Sequence, residues 1–283
     1  MTLKRLFIRL LDRPVLRPLL SIIGSAKARQ LLGPDVQIGF SDVWYHRVGG
    51  YAVPDGPAFG YYEPDILAWK TEVPTYFSNA EEFWLRSYRP KEGDIVVDIG
   101  AGRGEDALPF SEAVGPTGRV LAVEAHPATF ERLKLFCALN KLANVEPVHT
   151  AIMDKPTVVH MDDADNWEDS SVLAPAGAIA VQAITFDQLC ADHGIDRIDF
   201  LKMNIEGAEK FALLGMEKML PKIREVCICA HDFRSDRGEG DFFRTRDFVI
   251  KFLSDAGFTV SRRENDPVDY VRDHILGVRS PLT

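Results

Sequence analysis

The 283-residue chain has 46% hydrophobic and 27% charged residues, a composition typical of a soluble globular protein with one large domain or two small ones. Its formal net charge of −9 argues against a general nucleic-acid binder, because phosphate recognition requires an excess of Lys and Arg. The four cysteines form no CxxC pair and lie in hydrophobic segments, which indicates reduced core thiols in a cytoplasmic protein.

The N-terminal 33 residues are strongly basic, with seven Lys or Arg and one Asp. Their spacing predicts a helix whose apolar face is formed by Leu3, Leu6, Phe7, Leu10 and Leu11. Arginines and prolines interrupt the apolar residues, so neither a signal peptide nor a membrane-spanning helix is expected. Two interpretations remain for residues 1–33: a helix packed on the main domain or on a second subunit, or a helix on an anionic membrane surface.

The next segment, residues 34–78, is rich in Gly, Pro and aromatic residues without clear periodicity. It predicts loops and short elements that cap the main domain, so residues 1–78 form an N-terminal extension. The stretch "NAEEFWLRSY" predicts a helix with Asn79 as its N-cap. Residues 79–283 would then form the main domain.

Beyond this helix, short β-rich runs alternate with helical stretches. The predicted strands are Ile95–Ile99, Val120–Glu124, Val145–Ala151, Ile198–Met203, Glu225–Ala230, Thr259–Arg262 and His274–Arg279. The predicted helices lie near Glu105–Val114, Ala128–Leu142, Ala208–Met219 and Arg244–Ala256. This alternation predicts an α/β fold, in which a mainly parallel sheet has helices on both faces and binds ligands at the carboxyl ends of its strands.

The first predicted strand runs into a glycine-rich turn, "VVDIGAGRGEDA". Its third glycine comes one residue too early for a dinucleotide fingerprint, and no P-loop Gly-Lys-Ser/Thr follows. Asp98 would repel a pyrophosphate and attract an amino group, whereas Glu124 ends the second strand where an acid can accept ribose hydroxyls. S-Adenosylmethionine fits both features; the alternative is a tight turn whose glycines only permit close packing.

Two further stretches, "VLAVEAHPATFERLKLFCALN" and "TFDQLCADHGIDRIDFLKMNIEGAE", extend the pattern. With them the chain resembles the class I S-adenosylmethionine-dependent methyltransferases and, more narrowly, the FkbM-type methyltransferases, over roughly residues 80 to 280. One departure is Asn204, where the family motif usually has Asp.

The resemblance implies a Rossmann-like sheet of seven mainly parallel strands with a final antiparallel strand. It also implies a cofactor site in which the glycine turn lines the methionine part, Glu124 holds the ribose, and the residues after the third strand approach the adenine. The residues expected to contact S-adenosylmethionine are Asp98, Gly100, Ala101, Gly102, Glu124, Ala125 and Asp154.

Polar residues at the ends of the fourth and fifth strands are the candidates for catalysis. Strand alternation places Lys202, Asn204 and Glu206 on one side, as site residues or with a structural Lys202–Glu206 pair. In "CICAHD", His231 could act as a general base oriented by Asp232. The alternatives are a divalent metal held by Asn204, His231 and Asp232, which is not assigned, and a helix-capping or structural pair.

Two polar segments, "FRSDRGEGDFFRTRD" and "MDDADNWEDSS", are each either a surface loop or part of an acceptor-binding lid. The leading hypothesis is therefore an S-adenosylmethionine-dependent O-methyltransferase, acting on a hydroxyl of a sugar-containing or polyketide-like small molecule. The competing hypotheses are a nicotinamide-dependent oxidoreductase and a non-catalytic scaffold that uses the cofactor fold at a membrane.

Overall fold

The computed structural model describes residues 11–55, 66–161 and 179–279 of the chain. The chain divides into two compact units. The first holds the chain up to Phe77 together with Leu135–Lys141, and the second holds Ser78–Lys134 and the chain from Leu142 onward. Of the predicted helix over residues 3–11 and the segment 161–171, all but Leu11 and Met161 lie outside the described residues.

The first unit contains two helices and an antiparallel meander, and its second helix ends two residues beyond Phe77. Its elements are α1 Arg17–Leu32, β1 Gln37–Ser41, β2 Val43–Val48, β3 Tyr51–Pro54 and α2 Trp69–Asn79. The order of the strands is β1-β2-β3, with both pairs antiparallel. Residues 37–54 were expected to form loops and short elements; the strands are four to six residues long, which is too short for a clear periodic signal.

Asn79 was predicted to begin a helix, and this prediction was wrong. Asn79 is the last residue of α2 and has helical dihedrals, φ −68° and ψ −43°, without a capping side-chain hydrogen bond. One π-helical turn, Ala80–Trp84, follows it directly. The sequence obscured α2 because Pro74 lies inside it, and proline lacks the N–H that a helix interior uses.

The second unit contains the predicted α/β core. Its elements are β4 Ile95–Ile99, α3 Ala107–Val114, β5 Arg119–Glu124, α4 Pro127–Asn140, β6 Val145–His149, β7 Ala151–Ile152, β8 Thr157–Met161, β9 Ile179–Ile184, α5 Phe186–Asp192, β10 Ile198–Met203, α6 Glu209–Leu214, β11 Ile223–Cys229, α7 Asp232–Asp236, α8 Arg246–Asp255, β12 Phe258–Arg262, α9 Asp269–Arg272 and β13 His274–Arg279. Short 3-10 turns are found at Leu220–Lys222 and Asp241–Phe243.

Within the described residues, the large sheet has seven strands in the order β6-β5-β4-β10-β11-β13-β12. All neighbouring strands are parallel except that β13 runs antiparallel to both β11 and β12. This confirms the predicted fold class. The central strand β10 is buried at all six positions, as a strand covered on both faces requires. A separate three-stranded sheet, in the order β7-β9-β8, is formed by strands that lie between β6 and β10 in the sequence.

The order of the large sheet reverses at β4, which pairs with β5 on one side and β10 on the other. In open α/β sheets the crevice at such a reversal is the usual ligand site. The chain segments that leave β4 and β10 are in direct contact, since the backbone N–H of Asn204 donates to the carbonyl of Ile99 at 2.9 Å. Among the described residues, no helix combines the length and apolar character needed to cross a bilayer.

Gly100 is required at this contact for two reasons. Its φ is +80°, and a Cβ atom at this position would collide with the carbonyl oxygen of Asn204. Gly194 has a similar φ of +62° but nothing within 4 Å of the added atom. An alanine at position 194 would therefore meet only backbone strain, whereas an alanine at position 100 would meet both backbone strain and a steric collision.

We expect Gly194→Ala to lower the free energy of unfolding by about 1 to 2 kcal/mol, the cost of a left-handed non-glycine residue. Gly100→Ala should cost about 1 to 3 kcal/mol more, because the collision forces the two segments apart. Chemical denaturation of both variants beside the wild type measures the difference. Equal losses of stability would mean that the contact between Gly100 and Asn204 does not constrain the fold.

Candidate active site at the sheet reversal

A buried ion pair joins the two strands that flank the reversal. Asp98 of β4 lies opposite Lys202 of β10, and the Lys202 Nζ is 2.8 Å from the Asp98 Oδ1. Both side chains are essentially inaccessible, at 0% and 2% exposure. The same Nζ donates to the carbonyl of Gly100 at 2.7 Å, lies 3.4 Å from the Asp106 Oδ2, and stands 4.9 Å from the centre of the Trp84 ring.

This arrangement corrects the prediction that Lys202 lies beside Asn204 and Glu206. The strand ends at Met203, and Glu206 adopts a left-handed φ of 51°, so the alternation of an extended chain stops before Asn204. Lys202 lies beneath the glycine turn, where its ammonium pairs with Asp98 and Asp106. The structural Lys202–Glu206 pair is therefore absent from the described structure.

The ion pair is charged at neutral pH. Burial raises the pKa of Asp98 to about 6, and the ammonium of Lys202 limits the rise. Burial by itself would lower the pKa of Lys202, but Asp98 and Asp106 outweigh it and hold that pKa above its usual value. Asp98 therefore becomes neutral only in mild acid, while Lys202 stays a cation.

Glu124, the last residue of β5, ties the glycine turn to the next strand. Its Oε2 accepts from the backbone N–H of Gly102 at 3.0 Å, and its Oε1 accepts from that of His126 at 2.7 Å. The N–H groups of Gly100 and Ala101 both donate to the carbonyl of Val123, at 2.9 and 3.0 Å. Burial raises the pKa of Glu124 to about 7, against the two backbone donors.

The donors and acceptors at this turn suit a ligand with an amino group and a ribose. Within the described chain, the Asp98 Oδ2 is buried and has no hydrogen-bond partner, so it can accept from a ligand ammonium. Each oxygen of Glu124 accepts one backbone hydrogen bond and keeps a lone pair for a hydroxyl. Half-buried Ala125 follows Glu124, and Asp154 lies in the turn between β7 and β8.

On the other side of β10, His231 lies between two glutamates, which together we call the imidazole bridge (His231, Glu206 and Glu209). The His231 Nδ1 is 2.8 Å from the Glu209 Oε1, and its Nε2 is 3.1 Å from the Glu206 Oε1. Arg234 donates to the Glu206 Oε2 at 2.6 Å, and the hydroxyl of Thr245 donates to the Glu209 Oε2 at 2.9 Å.

The bridge holds His231 as a cation. Burial would lower its pKa, but Glu209 and Glu206 outweigh burial and raise the pKa to about 10. Burial would likewise raise the pKa of Glu206, yet His231 and Arg234 hold it below its usual value. A protonated imidazole with both nitrogens bound to carboxylates cannot take a proton, so the base role expected for His231 does not fit this arrangement.

Asp232 does not orient His231, which corrects the other half of that prediction. The Asp232 Oδ2 accepts from the backbone N–H groups of Thr245 and Arg246 at 2.9 and 2.8 Å, and its Oδ1 lies 3.1 Å from the Arg246 guanidinium. These are the orphan donors at the start of α8. Asp232 therefore caps a helix, which is the structural alternative left open by the sequence.

The metal alternative meets a similar obstacle. The two ring nitrogens of His231 face glutamates and the carboxylate of Asp232 faces a helix end, so neither is oriented with Asn204 toward a shared ion. In the part of the chain that the structure describes, no group of three or more His, Cys, Asp or Glu is arranged to hold a metal.

Asn204 and Glu206 are the two remaining residues that the sequence predicted for catalysis. The Asn204 Oδ1 is buried and, among the described residues, has no hydrogen-bond partner. The Glu206 side chain keeps 17% of its surface exposed, in contrast to the 0% of Glu209. An unpartnered amide oxygen and an accessible carboxylate thus lie two residues apart, just after the strand that carries Lys202.

Four residues of the site were not identified from the sequence: Trp84, Asp106, Glu209 and Arg234. Asp106 and Glu209 lie inside two of the motifs that carried the family resemblance. The motifs therefore marked the segments near the site, but they did not indicate which side chains these two acids contact. Trp84 lies in the π-helical turn and Arg234 in the charged segment after β11, and nothing local marks either as part of the site.

Comparison with known proteins identifies the family. A model of the methyltransferase FkbM domain matches residues 98–260, which is more than half of the chain and begins at Asp98. The chain belongs to the FkbM methyltransferase family. The predicted resemblance is thus confirmed, and the site described above lies within the matched domain.

Two curated relatives of this FkbM family member carry O-methyltransferase names at low identity. The chain is 26% identical over 212 residues to "31-O-demethyl-FK506 methyltransferase FkbM" of Streptomyces tacrolimicus, covering 63% of this chain and 77% of that protein. It is 25% identical over 155 residues to "2-O-methyltransferase NoeI" of Sinorhizobium fredii, covering 48% of this chain. The match spans only 63% of the length of NoeI.

Among solved structures, a methyltransferase FkbM from Methylobacillus flagellatus is similar at 18% identity with a TM-score of 0.49. The match covers 74% of this chain and 51% of that one.

We expect His231→Gln to destabilise the protein by about 3 to 5 kcal/mol, because it leaves the buried carboxylate of Glu209 without a cation and removes one of the two cations beside Glu206. The folded-state pKa of about 10 lies above the ordinary value of 6.5, so this stabilisation is complete below about pH 6.5 and is lost as the pH rises toward 10. The unfolding midpoint of the wild type should fall over that range, and that of the variant should fall less.

The matched control is His193→Gln, at a half-buried histidine whose single carboxylate partner, Glu146, is 41% exposed. It should cost under about 1 kcal/mol. A His231→Gln variant of unchanged stability would contradict the structural role; loss of only the acidic limb of the pH–rate profile would instead restore the base hypothesis.

Proposed function

We propose that this chain is an S-adenosylmethionine-dependent methyltransferase that methylates a hydroxyl group of a sugar-containing or polyketide-like small molecule. The observation that carries the proposal is the buried carboxylate of Asp98, which keeps one oxygen unpartnered at a glycine turn where the FkbM domain begins. The relatives named for 2-O- and 31-O-methylation support a hydroxyl acceptor.

The cofactor half of the proposal assigns one task to each residue around the turn. When bound, S-adenosylmethionine would supply a methyl group on a positively charged sulfur, which a hydroxyl oxygen can attack. Asp98 would accept a hydrogen bond from the amino group of the methionine part, and Glu124 would accept hydrogen bonds from the ribose hydroxyls. Lys202 would keep Asp98 ionised and fix the turn through the carbonyl of Gly100.

The acceptor half uses Asn204 and Glu206. The amide oxygen of Asn204 would orient the acceptor, and the Glu206 carboxylate would accept the hydrogen bond of the reacting hydroxyl. As the hydroxyl oxygen bonds to the methyl carbon, the bond from that carbon to the sulfur would break and leave a neutral thioether, and the hydroxyl proton would pass to Glu206 and from there to solvent. Because His231 and Arg234 keep the pKa of Glu206 low, the residue is a modest base, and alignment of the reactants supplies most of the acceleration.

We also propose that the enzyme acts in the cytoplasm. All four cysteines, Cys137, Cys190, Cys227 and Cys229, are buried free thiols. Burial raises the pKa of Cys137 and of Cys190 to about 12, which keeps both as unreactive thiols in a reducing compartment.

Titration calorimetry with S-adenosylmethionine tests the cofactor half. We expect the wild type to bind, and Asp98→Asn to bind about 10- to 100-fold more weakly, because a charge-assisted hydrogen bond is lost. The affinity of the wild type should also fall as the pH drops from about 7.5 through 6, since Glu124 and Asp98 become protonated with pKa values of about 7 and 6. This pH dependence should be weaker in Asp98→Asn.

The matched control is Glu131→Gln, because Glu131 is a 65% exposed carboxylate paired with a surface lysine. The affinity of this variant for S-adenosylmethionine should equal that of the wild type. A wild type that binds no S-adenosylmethionine, or an Asp98→Asn variant that binds as tightly as the wild type, would remove the proposal.

A second measurement tests the acceptor half. With a panel of sugar and macrolide alcohols as acceptors, Glu206→Gln should lower kcat by about 10²- to 10⁴-fold, as loss of a proton acceptor does. Its affinity for S-adenosylmethionine should stay within about twofold of the wild type, because Glu206 does not contact the glycine turn. Asp241→Asn, at a 95% exposed carboxylate, is the control and should keep full activity. Methyl transfer to amines with no transfer to any alcohol would contradict a hydroxyl acceptor.

A further inference from the structure

Helix α1 exposes an apolar face to solvent. Five large hydrophobic side chains of α1 and of the turn before it are more than half exposed; one is Leu31 at 52% near the C-terminal end, and the other four are Val15 at 88%, Leu19 at 53%, Ile22 at 67% and Ile23 at 58%. Their spacing of four, three and one residues places them along one side of the helix and of the turn before it. We call this surface, formed by Val15, Leu19, Ile22 and Ile23, the α1 apolar face.

Another side of α1 is packed against β1, so the apolar face is not the side that holds the helix in place. Ala28 is fully buried in the cluster around β1, and the Ser25 hydroxyl accepts from the backbone N–H of Ile38 at 2.8 Å. Arg29 donates to the carbonyl of Val36 at 2.9 Å. These contacts fix the helix by one side and turn the four hydrophobic side chains outward.

The charged residues of α1 and of the turn before it are all positive. Arg13 and Lys27 are exposed at the two ends of the α1 apolar face, and residues 13–33 contain no acidic residue. The acid that precedes this segment in the chain, Asp12, is buried, where it accepts from Arg17 at 2.7 Å and from the indole N–H of Trp44 at 3.1 Å. This surface thus departs in sign from a chain whose formal net charge is −9.

An apolar stripe flanked by exposed cations complements the surface of an anionic bilayer, where the hydrophobic side chains enter the acyl boundary and the cations meet headgroups. A second copy of the chain fits less well. A twofold axis would align two such helices either antiparallel, with Arg13 of one copy toward Lys27 of the other, or parallel, with each cation toward its own copy, and both arrangements oppose association.

We propose that the α1 apolar face docks this protein on the surface of an anionic membrane. The contact is peripheral and reversible, since four side chains and a few cations supply far less than a spanning helix. Part of the attraction is electrostatic, and it weakens as salt screens the headgroups. The docking is independent of methyl transfer, because no residue of the face belongs to the active site.

Flotation of the full chain with lipid vesicles tests the proposal. The wild type should float with vesicles of phosphatidylcholine and phosphatidylglycerol, bind those of phosphatidylcholine alone at least about tenfold more weakly, and be released by high salt. The double variant Leu19→Ser with Ile22→Ser should bind the mixed vesicles at least about tenfold more weakly. Lys27→Glu should weaken binding to the mixed vesicles without changing binding to phosphatidylcholine.

Leu214→Ser is the matched control, because Leu214 is a 49% exposed leucine on α6 and should leave flotation unchanged. Thermal unfolding of each variant should match the wild type, since the substituted side chains are exposed. The proposal is overturned if the wild type fails to float with the mixed vesicles, or if the double variant floats as well as the wild type. It is also overturned if light scattering shows a dimer that the double variant dissociates while vesicle binding is absent.

Discussion

The ion pair between Lys202 and Asp98 is the constraint on which the active site depends. A lysine can be buried in a protein core only if its charge is paired and its donors are satisfied. Here Asp98, the carbonyl of Gly100 and Asp106 together meet that requirement. Because those three groups come from β4, from the turn after it and from the start of the following helix, satisfying one ammonium fixes the shape of the whole turn.

The same pair leaves one carboxylate oxygen without a partner at the mouth of the sheet. A charged, desolvated acceptor is costly in the free protein and is repaid when a cationic ligand group arrives, so it favours binding of an amino group over a neutral one. Glu124 completes this side, since its carboxylate both holds the turn through Gly102 and remains able to accept hydroxyls. The two acids that hold the glycine turn are thus the same two that we propose bind the cofactor.

A second charge-balanced group lies on the other side of β10. The cations of His231 and Arg234 neutralise the carboxylates of Glu206 and Glu209, and the backbone of Glu206 is held in a left-handed conformation. Such backbone strain persists only where the surroundings over-determine it, and it is concentrated at functional sites. The segment between Lys202 and Glu209 therefore links two buried charge clusters, with Asn204 between them.

The sequence alone determined which segments form the strands of a mainly parallel sheet, the glycine turn with Asp98 and Glu124, and the family. These features are local: an apolar run predicts a buried strand, and a motif is written in consecutive residues. Only the tertiary structure decided the partners of Lys202, His231 and Asp232, because each of these side chains finds its partner across strands or helices that are far apart in sequence. Helix α2 was hidden for a related reason, since burial of Trp69 and Val73 outweighs the poor local propensity around Pro74. The motifs thus located many residues of the site, whereas long-range charge pairing determined the chemical role that each of them can have.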